Sequence, residues 1–289
     1  MILDRMERQH FAWLSIVMAV ATIALKTAAW WVTGSVGLLS DAAESLVNLA
    51  GASFALWMIL ITRQPADKQH PFGHSKAEYF SSGFEGVLIF IAALAIIGTA
   101  VQRLWNPQPL DAVGWGLVLS AISAVINFVV AQTLQRAARR FDSIALEADS
   151  KHLMTDVWTS VGVIGGIVIV AATGWLWLDA LVAILVGLHI VVEGYRLIRA
   201  SADGMMDAAL SDAEIVQIQA ALQTFAARDI RYKNLKTRRA GAASFIHVDI
   251  LAPRHWTIGE GHDMLDEIEL RLAETLRGAT VVTHLEPWD

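Results

Sequence analysis

The sequence predicts an α-helical membrane protein with six transmembrane helices followed by a small C-terminal α/β domain. Of the 289 residues, 55% are hydrophobic and only 17% are charged, which is too apolar for an ordinary soluble chain of this size. Six apolar stretches are long enough to cross a bilayer. After Ser201 the composition becomes that of a soluble domain. We therefore expect a membrane domain over residues 1–205 and a second domain over residues 206–289.

Each apolar stretch holds roughly the 20 residues that a helix needs to cross about 30 Å of hydrocarbon. The stretches are residues 11–32, 36–61, 80–104, 112–134, 153–172 and 176–198. Basic residues concentrate at the ends that share a side with the N-terminus, and the opposite loops offer essentially only Arg103. The positive-inside rule therefore predicts an inner-membrane protein with both termini in the cytoplasm.

The C-terminal domain has the pattern of a small open-faced α/β sandwich. Ser211 and Glu214 match a capping box that begins a helix reaching about residue 227. Two strands follow, over residues 230–239 and around residues 245–251, then an amphipathic helix over residues 260–276 and a strand over residues 280–284. The predicted order is αββαβ.

Composition excludes several classes of function. Because cysteine is absent, His, Asp, Glu and Asn must supply any metal ligands. The net charge of −6 argues against nucleic acid as a partner. The His-Glu-x-x-His pattern of a metalloprotease helix does not occur, and we expect no enzymatic activity.

Two of the spans carry polar side chains at helical spacing. Glu44 and Asn48 share one face of the second span, and His152 and Asp156 share one face of the fifth. A carboxylate near the bilayer centre costs about 2.5 to 3.5 kcal/mol on insertion scales, so such pairs need a compensating reason. They could simply hydrogen-bond between helices. Four converging ligands would instead form a tetrahedral site for a divalent cation, which is the interpretation we favour.

Further candidate ligands lie near and beyond this pattern. Asp41, one turn before Glu44, is expected to orient the site, whereas Glu85 in the third span could line a water-filled vestibule or pair with a basic loop residue. The loop after the second span offers a second candidate metal site, at Asp67, His70 and His74. The C-terminal domain offers a third, at Asp249, His262, His284 and Glu286, with His247 as an additional ligand.

These motifs together resemble the cation diffusion facilitator family over essentially the whole chain. The string His70-Pro71-Phe72-Gly73-His74-Ser75-Lys76-Ala77-Glu78 is its most specific part, beside Ser40-Asp41 and the His152 and Asp156 pair. The resemblance implies a ferredoxin-like C-terminal domain and a homodimer. It also implies an antiporter that exports a divalent cation, Zn²⁺ by family preference, in exchange for protons.

The resemblance also implies roles for individual residues. The transport site falls on Glu44, Asn48, His152 and Asp156, while Lys76 and Asp207 match a charge interlock that holds the dimer at the membrane surface. Asn48 departs from the family pattern, in which zinc-transporting members commonly have a carboxylate. The alternatives left open are Fe²⁺, Co²⁺, Ni²⁺ or Mn²⁺ as the exported ion, and a membrane metal sensor that does not transport.

Overall fold

A computed structural model describes residues 7–33, 36–105, 115–175, 177–276 and 278–288. The chain divides into two compact units, Met1–Ala202 and Asp203–Asp289. Six long helices make up the first unit, and the last of these helices continues a few residues into the second unit. They are α1 (Arg8–Thr33), α2 (Val36–Thr62), α3 (Ala77–Trp105), α4 (Trp115–Phe141), α5 (Ile144–Thr173) and α6 (Trp177–Met205).

Three described segments are long and apolar enough to cross a membrane, namely Arg8–Leu25, Ala77–Trp105 and Ala180–Met205. Large apolar side chains cover the outer surface of the unit. Trp57 on α2 is 60% exposed and Val125 on α4 is 63% exposed. A surface of this kind suits hydrocarbon rather than water.

The helices extend beyond the apolar stretches from which they were predicted. The fifth span was predicted to begin at residue 153, but α5 begins at Ile144, nine residues earlier. The polar turns of α5 stay helical because they pack against α4 and cap on Ser143. His152 and Asp156 therefore lie well inside α5 rather than at its start.

A buried ion pair ties the first helix to the start of the third and fifth. Glu78 is fully buried, and its carboxylate accepts from Arg8 Nη1 at 2.8 Å and from the Ser143 hydroxyl at 2.5 Å. The backbone N–H of Ala145 lies 3.5 Å from the same carboxylate. Because the charge is both paired and hydrogen-bonded, its burial is tolerated. These contacts hold the N-terminal ends of α1, α3 and α5 together.

Close packing of α3 against α6 depends on glycine. A Cβ added to Gly86 would lie 3.0 Å from the backbone nitrogen of Ile198, and one added to Gly194 would lie 3.0 Å from the backbone nitrogen of Phe90. Small residues let two membrane helices approach to backbone contact in this way.

The second unit follows the predicted order of elements. It contains α7 (Asp212–Gln223), a short 3-10 helix (Thr224–Arg228), β1 (Arg231–Ala240), β2 (Ala243–Pro253), α8 (Ile258–Thr275) and β3 (Ala279–Trp288). Strand β2 is central, antiparallel to β1 and parallel to β3. The capping box of Ser211 and Glu214 is present, and Thr257 with Glu260 forms a second one.

The alternation of β2 separates a core face from an outer face. Ile246, Val248 and Ile250 are buried in the core that β2 shares with α7 and α8. The residues between them, His247 and Asp249, lie on the opposite face of the sheet, as period-two alternation requires. The candidate metal ligands of β2 are thus kept out of the core.

Candidate metal centre

Helices α2 and α5 bring Asn48, His152 and Asp156 together. Asn48 Nδ2 donates to Asp156 Oδ2 at 2.5 Å, and Asn48 Oδ1 lies 2.5 Å from His152 Nε2. Because an amide oxygen carries no hydrogen, this contact requires a proton on His152 Nε2. The buried amide of Asn48 therefore links the imidazole to the carboxylate.

A fourth residue, Asn127 on α4, joins this cluster. Its Nδ2 donates to Asp156 Oδ2 at 3.2 Å, and it is 7% exposed. Asn127 was not among the residues predicted from the sequence. Its signal was a lone amide inside an apolar stretch, between Ile126 and Phe128. A buried amide in a span needs a partner, and Asp156 supplies it.

The other residues predicted for this site can be placed only by their backbone. Asp41 and Glu44 lie on α2, which is helical throughout residues 36–62. Glu44 precedes Asn48 by four residues and so shares its helix face. The side chains of Asp41 and Glu44 lie outside the described part of the structure.

The loop residues Asp67, His70 and His74 form a compact cluster. Asp67 lies 3.3 Å from His70 Nδ1 and 3.5 Å from His74 Nε2, and the two imidazoles approach each other to 3.1 Å. In the described part of the chain, this is the only group of three or more His, Asp and Glu side chains whose ligand atoms all lie within 4.8 Å of one another. Its nitrogen and oxygen atoms are the ligands that Zn²⁺ accepts.

Local backbone geometry prepares Asp67 to act as an ionised ligand. The backbone N–H of His70 donates to Asp67 Oδ1 at 2.6 Å, and the backbone N–H of Gln69 donates to the same oxygen at 2.8 Å. These bonds, together with the two neighbouring imidazoles, lower the pKa of Asp67. Gly73 completes the turn with a φ of +81°, which favours glycine.

The candidate ligands of the C-terminal unit are engaged by other groups. Asp249 accepts from Asn234 Nδ2 at 2.7 Å, and Glu286 accepts from Lys233 Nζ at 2.7 Å. His284 lies beside Asp249 in the parallel pairing of β2 and β3, with its Nε2 3.8 Å from Glu286 Oε1. The Lys233 ammonium thus lies among the groups that a metal ion would need.

The other residues predicted to bind metal or to form the charge interlock are His262, His247, Asp207 and Lys76. His262 is exposed on α8, with its Nε2 3.9 Å from Asp266, and His247 is an exposed residue of β2. Asp207 follows α6 and accepts from Arg238 Nη1 at 2.9 Å within the second unit. Lys76 lies just before α3.

The comparisons with known proteins agree with this architecture. A family model described as the cation efflux transmembrane domain matches residues 12–206, and one described as the cytoplasmic domain of cation efflux proteins matches residues 210–288. These matches confirm the predicted fold class, a helical transmembrane domain followed by a cytoplasmic domain with a small sheet.

Three relatives show how far the similarity extends. An uncharacterized transporter of Synechocystis sp. is 49% identical over 277 residues, which cover 96% of this chain and 89% of that protein. The cation-efflux pump FieF of Klebsiella pneumoniae is 32% identical over 276 residues, or 93% of this chain and 89% of the pump. FieF of Salmonella newport is 29% identical over 273 residues, with the same shares covered. The chain belongs to the cation efflux family of membrane transporters.

Proposed function

We propose that the protein exports divalent transition-metal cations from the cytoplasm in exchange for protons, with Zn²⁺ as the principal ion. The observation that carries this proposal is the meeting of Asn48, His152 and Asp156 across α2 and α5. A carboxylate and an imidazole joined inside a membrane bundle are costly to keep without a purpose. Because the chain belongs to a family of cation efflux proteins, we infer that these polar side chains bind the transported ion.

Glu44 completes the proposed transport site with Asn48, His152 and Asp156, and Asp41 orients it. Two carboxylates neutralise a doubly charged ion, and an imidazole favours Zn²⁺, Fe²⁺, Co²⁺ or Ni²⁺ over Mg²⁺ or Ca²⁺. Among the transition metals, the tetrahedral preference of Zn²⁺ suits a site of four protein ligands best. We therefore place Zn²⁺ first, with the other transition metals as alternatives.

Competition between metal and protons for the same atoms provides the coupling. A metal ion binds His152 only through a ring nitrogen that carries no proton, and it binds Asp156 as a carboxylate, so added protons on these groups compete with the metal. Binding on the cytoplasmic side therefore releases protons, and protonation on the opposite side expels the ion. Rocking of the helices around a fixed site would open that site to the cytoplasm and to the opposite side of the membrane in turn.

The other ligand sets have accessory roles in this proposal. Asp67, His70 and His74 form a loop site at the cytoplasmic surface. In the cytoplasmic domain, residues 206–289, a regulatory site uses Asp249, His262, His284 and Glu286, with His247 in addition. The protein acts as a homodimer in the inner membrane with both termini in the cytoplasm, and Lys76 with Asp207 serves as its charge interlock.

Flux into sealed proteoliposomes tests the proposal. We expect Asp156→Ala to abolish Zn²⁺ uptake without changing expression or the elution of the dimer, because Asp156 supplies ligand charge. The matched control is Glu147→Ala, a carboxylate of the same helix that pairs with Lys151 at 3.1 Å outside the cluster. Normal flux in Asp156→Ala would remove Asp156 from the site. Binding without flux in the parent protein would identify a sensor instead.

A further inference from the structure

Two buried carboxylates lie close to the Asn48, His152 and Asp156 cluster but take no part in it. Glu85 on α3 is 1% exposed, and Asp149 on α5 is 3% exposed. Among the described residues, neither carboxylate oxygen of Glu85 has a hydrogen-bond partner, and Oδ2 of Asp149 has none either. An ionised carboxylate is costly in such a place unless something neutralises it.

The positions of these residues along their helices show where they lie in the bundle. Asp149 precedes His152 by three residues, which corresponds to about 4.5 Å of helix rise. Gly51 follows Asn48 by three residues, and a Cβ added to it would lie 3.6 Å from Glu85 Cγ. Both helices therefore place the two carboxylates one turn from the metal cluster, towards the end of the bundle where α2 ends and α3 and α5 begin.

The described groups that face the two carboxylates come from α1, α2 and α5. The Ser15 hydroxyl on α1 hydrogen-bonds Asp149, and the bare backbone of Gly51 on α2 packs against Glu85. The charged group acting on Glu85 is Asp149 itself, which repels it.

Lys151, which follows Asp149 by two residues on α5, pairs with other carboxylates. Lys151 pairs with Glu147 at 3.1 Å and with Glu193 at 3.7 Å. Within the described ranges, no Lys, Arg or His side chain forms an ion pair or hydrogen bond with Glu85 or Asp149. The charge of these two carboxylates must therefore be neutralised by a bound metal ion or by a proton.

We propose that Glu85 and Asp149 form a proton-binding site separate from the metal cluster. A metal ion here would find two carboxylates and one hydroxyl but no imidazole, which suits a transition metal poorly. A proton needs only one carboxylate oxygen, and a proton held by the pair removes the repulsion between the two groups. This proposal rests on the proposed antiport and adds a second place where protons are carried.

The distance of one turn makes the proton site and the metal site interact. A divalent cation entering the cluster disfavours a proton nearby, and a proton held by the pair disfavours the metal by the same free energy. Metal binding at the cluster would thus release a proton from the pair in addition to any lost by His152.

Infrared spectroscopy and calorimetry on the purified full-length protein test this proposal without requiring flux. We expect metal-free protein to show the C=O band of a protonated carboxyl group, which weakens when Zn²⁺ is added. E85Q/D149N should remove this change, while E147Q, on the exposed side of α5, should keep it. Calorimetry in buffers of different ionisation enthalpy should show about one proton fewer released per Zn²⁺ in E85Q/D149N, with a Zn²⁺ affinity lower by about tenfold, because a permanently neutral pair cannot ionise to attract the metal.

Several results would overturn the proposal. If the parent protein shows no carboxyl band that changes on addition of Zn²⁺, the proposal is wrong, and this result does not depend on whether E85Q/D149N folds. An unchanged proton count in a folded E85Q/D149N protein would overturn the proposal as well. A loss of one bound Zn²⁺ in that variant would assign the pair to metal instead. Failure of the parent to transport Zn²⁺ with the band still present would contradict the antiport but leave the proton site standing.

Discussion

Asn48 and Asn127 donate to the same oxygen of Asp156 from two different helices. The distances to Asp156 Oδ2 are 2.5 Å from Asn48 on α2 and 3.2 Å from Asn127 on α4. Two donors on one oxygen fix the plane of the carboxylate before any metal binds. Asn48 also contacts His152, whereas the described contact of Asn127 in the cluster is with Asp156. Asn127 is therefore placed to orient the carboxylate of Asp156.

We predict that Asn127→Leu weakens Zn²⁺ binding about tenfold, because groups that orient metal ligands typically contribute 10- to 100-fold to affinity. Calorimetry on protein lacking the loop histidines should show the change, and flux should fall at low Zn²⁺ more than at saturating Zn²⁺. Ser123→Ala, another buried polar residue of α4 one turn away, serves as the control. Equal affinity in Asn127→Leu and the parent would show that Asp156 needs no support from α4.

The sequence showed which polar residues of α2 and of α5 share a helix face, but it did not show the surroundings of these residues. Hydrophobic length located the six helices, and the four-residue spacing of His152 and Asp156 placed both on one face of α5. Asn127 could not be found in the same way, because a lone amide has no partner at helical spacing. It becomes part of the centre only when α4 packs against α5.

Helix ends were the other feature that the sequence predicted poorly. Hydropathy marks where a chain crosses hydrocarbon, whereas helix length is set by capping and packing in the polar turns as well. Ser143 caps α5, and Glu78 anchors that end, so the helix begins nine residues before the apolar stretch. In the C-terminal unit the capping box of Ser211 and Glu214 was a local signal for α7, and the predicted starts of α7 and α8 lie within two residues of the observed ones.

We predict that Lys233→Ala strengthens metal binding by the C-terminal unit. The Lys233 ammonium pairs with Glu286, which raises the pKa of the lysine, and it also acts on Asp249. Its removal leaves two carboxylates and His284 for a metal ion. Because exposed ion pairs contribute roughly 0 to 1 kcal/mol, the expected gain in affinity is up to about fivefold.

Calorimetry on full-length protein carrying His70→Ala and His74→Ala isolates this effect. Arg228→Ala is the matched control, since it removes a basic residue that pairs with Glu267 at 2.6 Å elsewhere in the same unit. A Lys233→Ala protein that binds Zn²⁺ no better than the control would show that these residues do not bind metal.

We predict that helix α8 loses protection at acidic pH because of its capping box. Hydrogen bonds from the Thr257 backbone N–H and hydroxyl lower the pKa of Glu260 from its ordinary value of 4.5. A carboxyl group with a lowered folded pKa stabilises the fold above its unfolded pKa, and this contribution is lost as the pH falls through the folded value. Glu260 should therefore support α8 fully above about pH 5 and progressively less below 4.5.

Hydrogen exchange over residues 258–275, corrected for the intrinsic pH dependence of the rate, measures this protection. Glu260→Gln should lower it at neutral pH and flatten its decline on acidification. Glu274→Gln, near the end of the same helix and 62% exposed, should behave like the parent. A parallel decline in Glu260→Gln and the parent would mean that other groups set the acid sensitivity.

The last prediction concerns Asn48, whose neutral amide lies between His152 and Asp156. Asn48→Asp would place a carboxylate 2.5 Å from the present position of Asp156 Oδ2, where an amide now donates. Without a metal, the two carboxylates would repel each other or share a proton. When a divalent cation is bound, the added charge attracts the cation by on the order of a few kcal/mol at an effective dielectric near 20.

For Asn48→Asp we expect a lower apparent KM for Zn²⁺ and a steeper dependence of flux on the proton gradient. The preference among Zn²⁺, Fe²⁺ and Co²⁺ should also change. Stopped-flow flux in proteoliposomes at several internal and external pH values measures all three, and Asn48→Ala separates the added charge from the lost amide. If KM, pH dependence and ion order all match the parent, Asn48 does not contact the metal, and the four-ligand site is wrong.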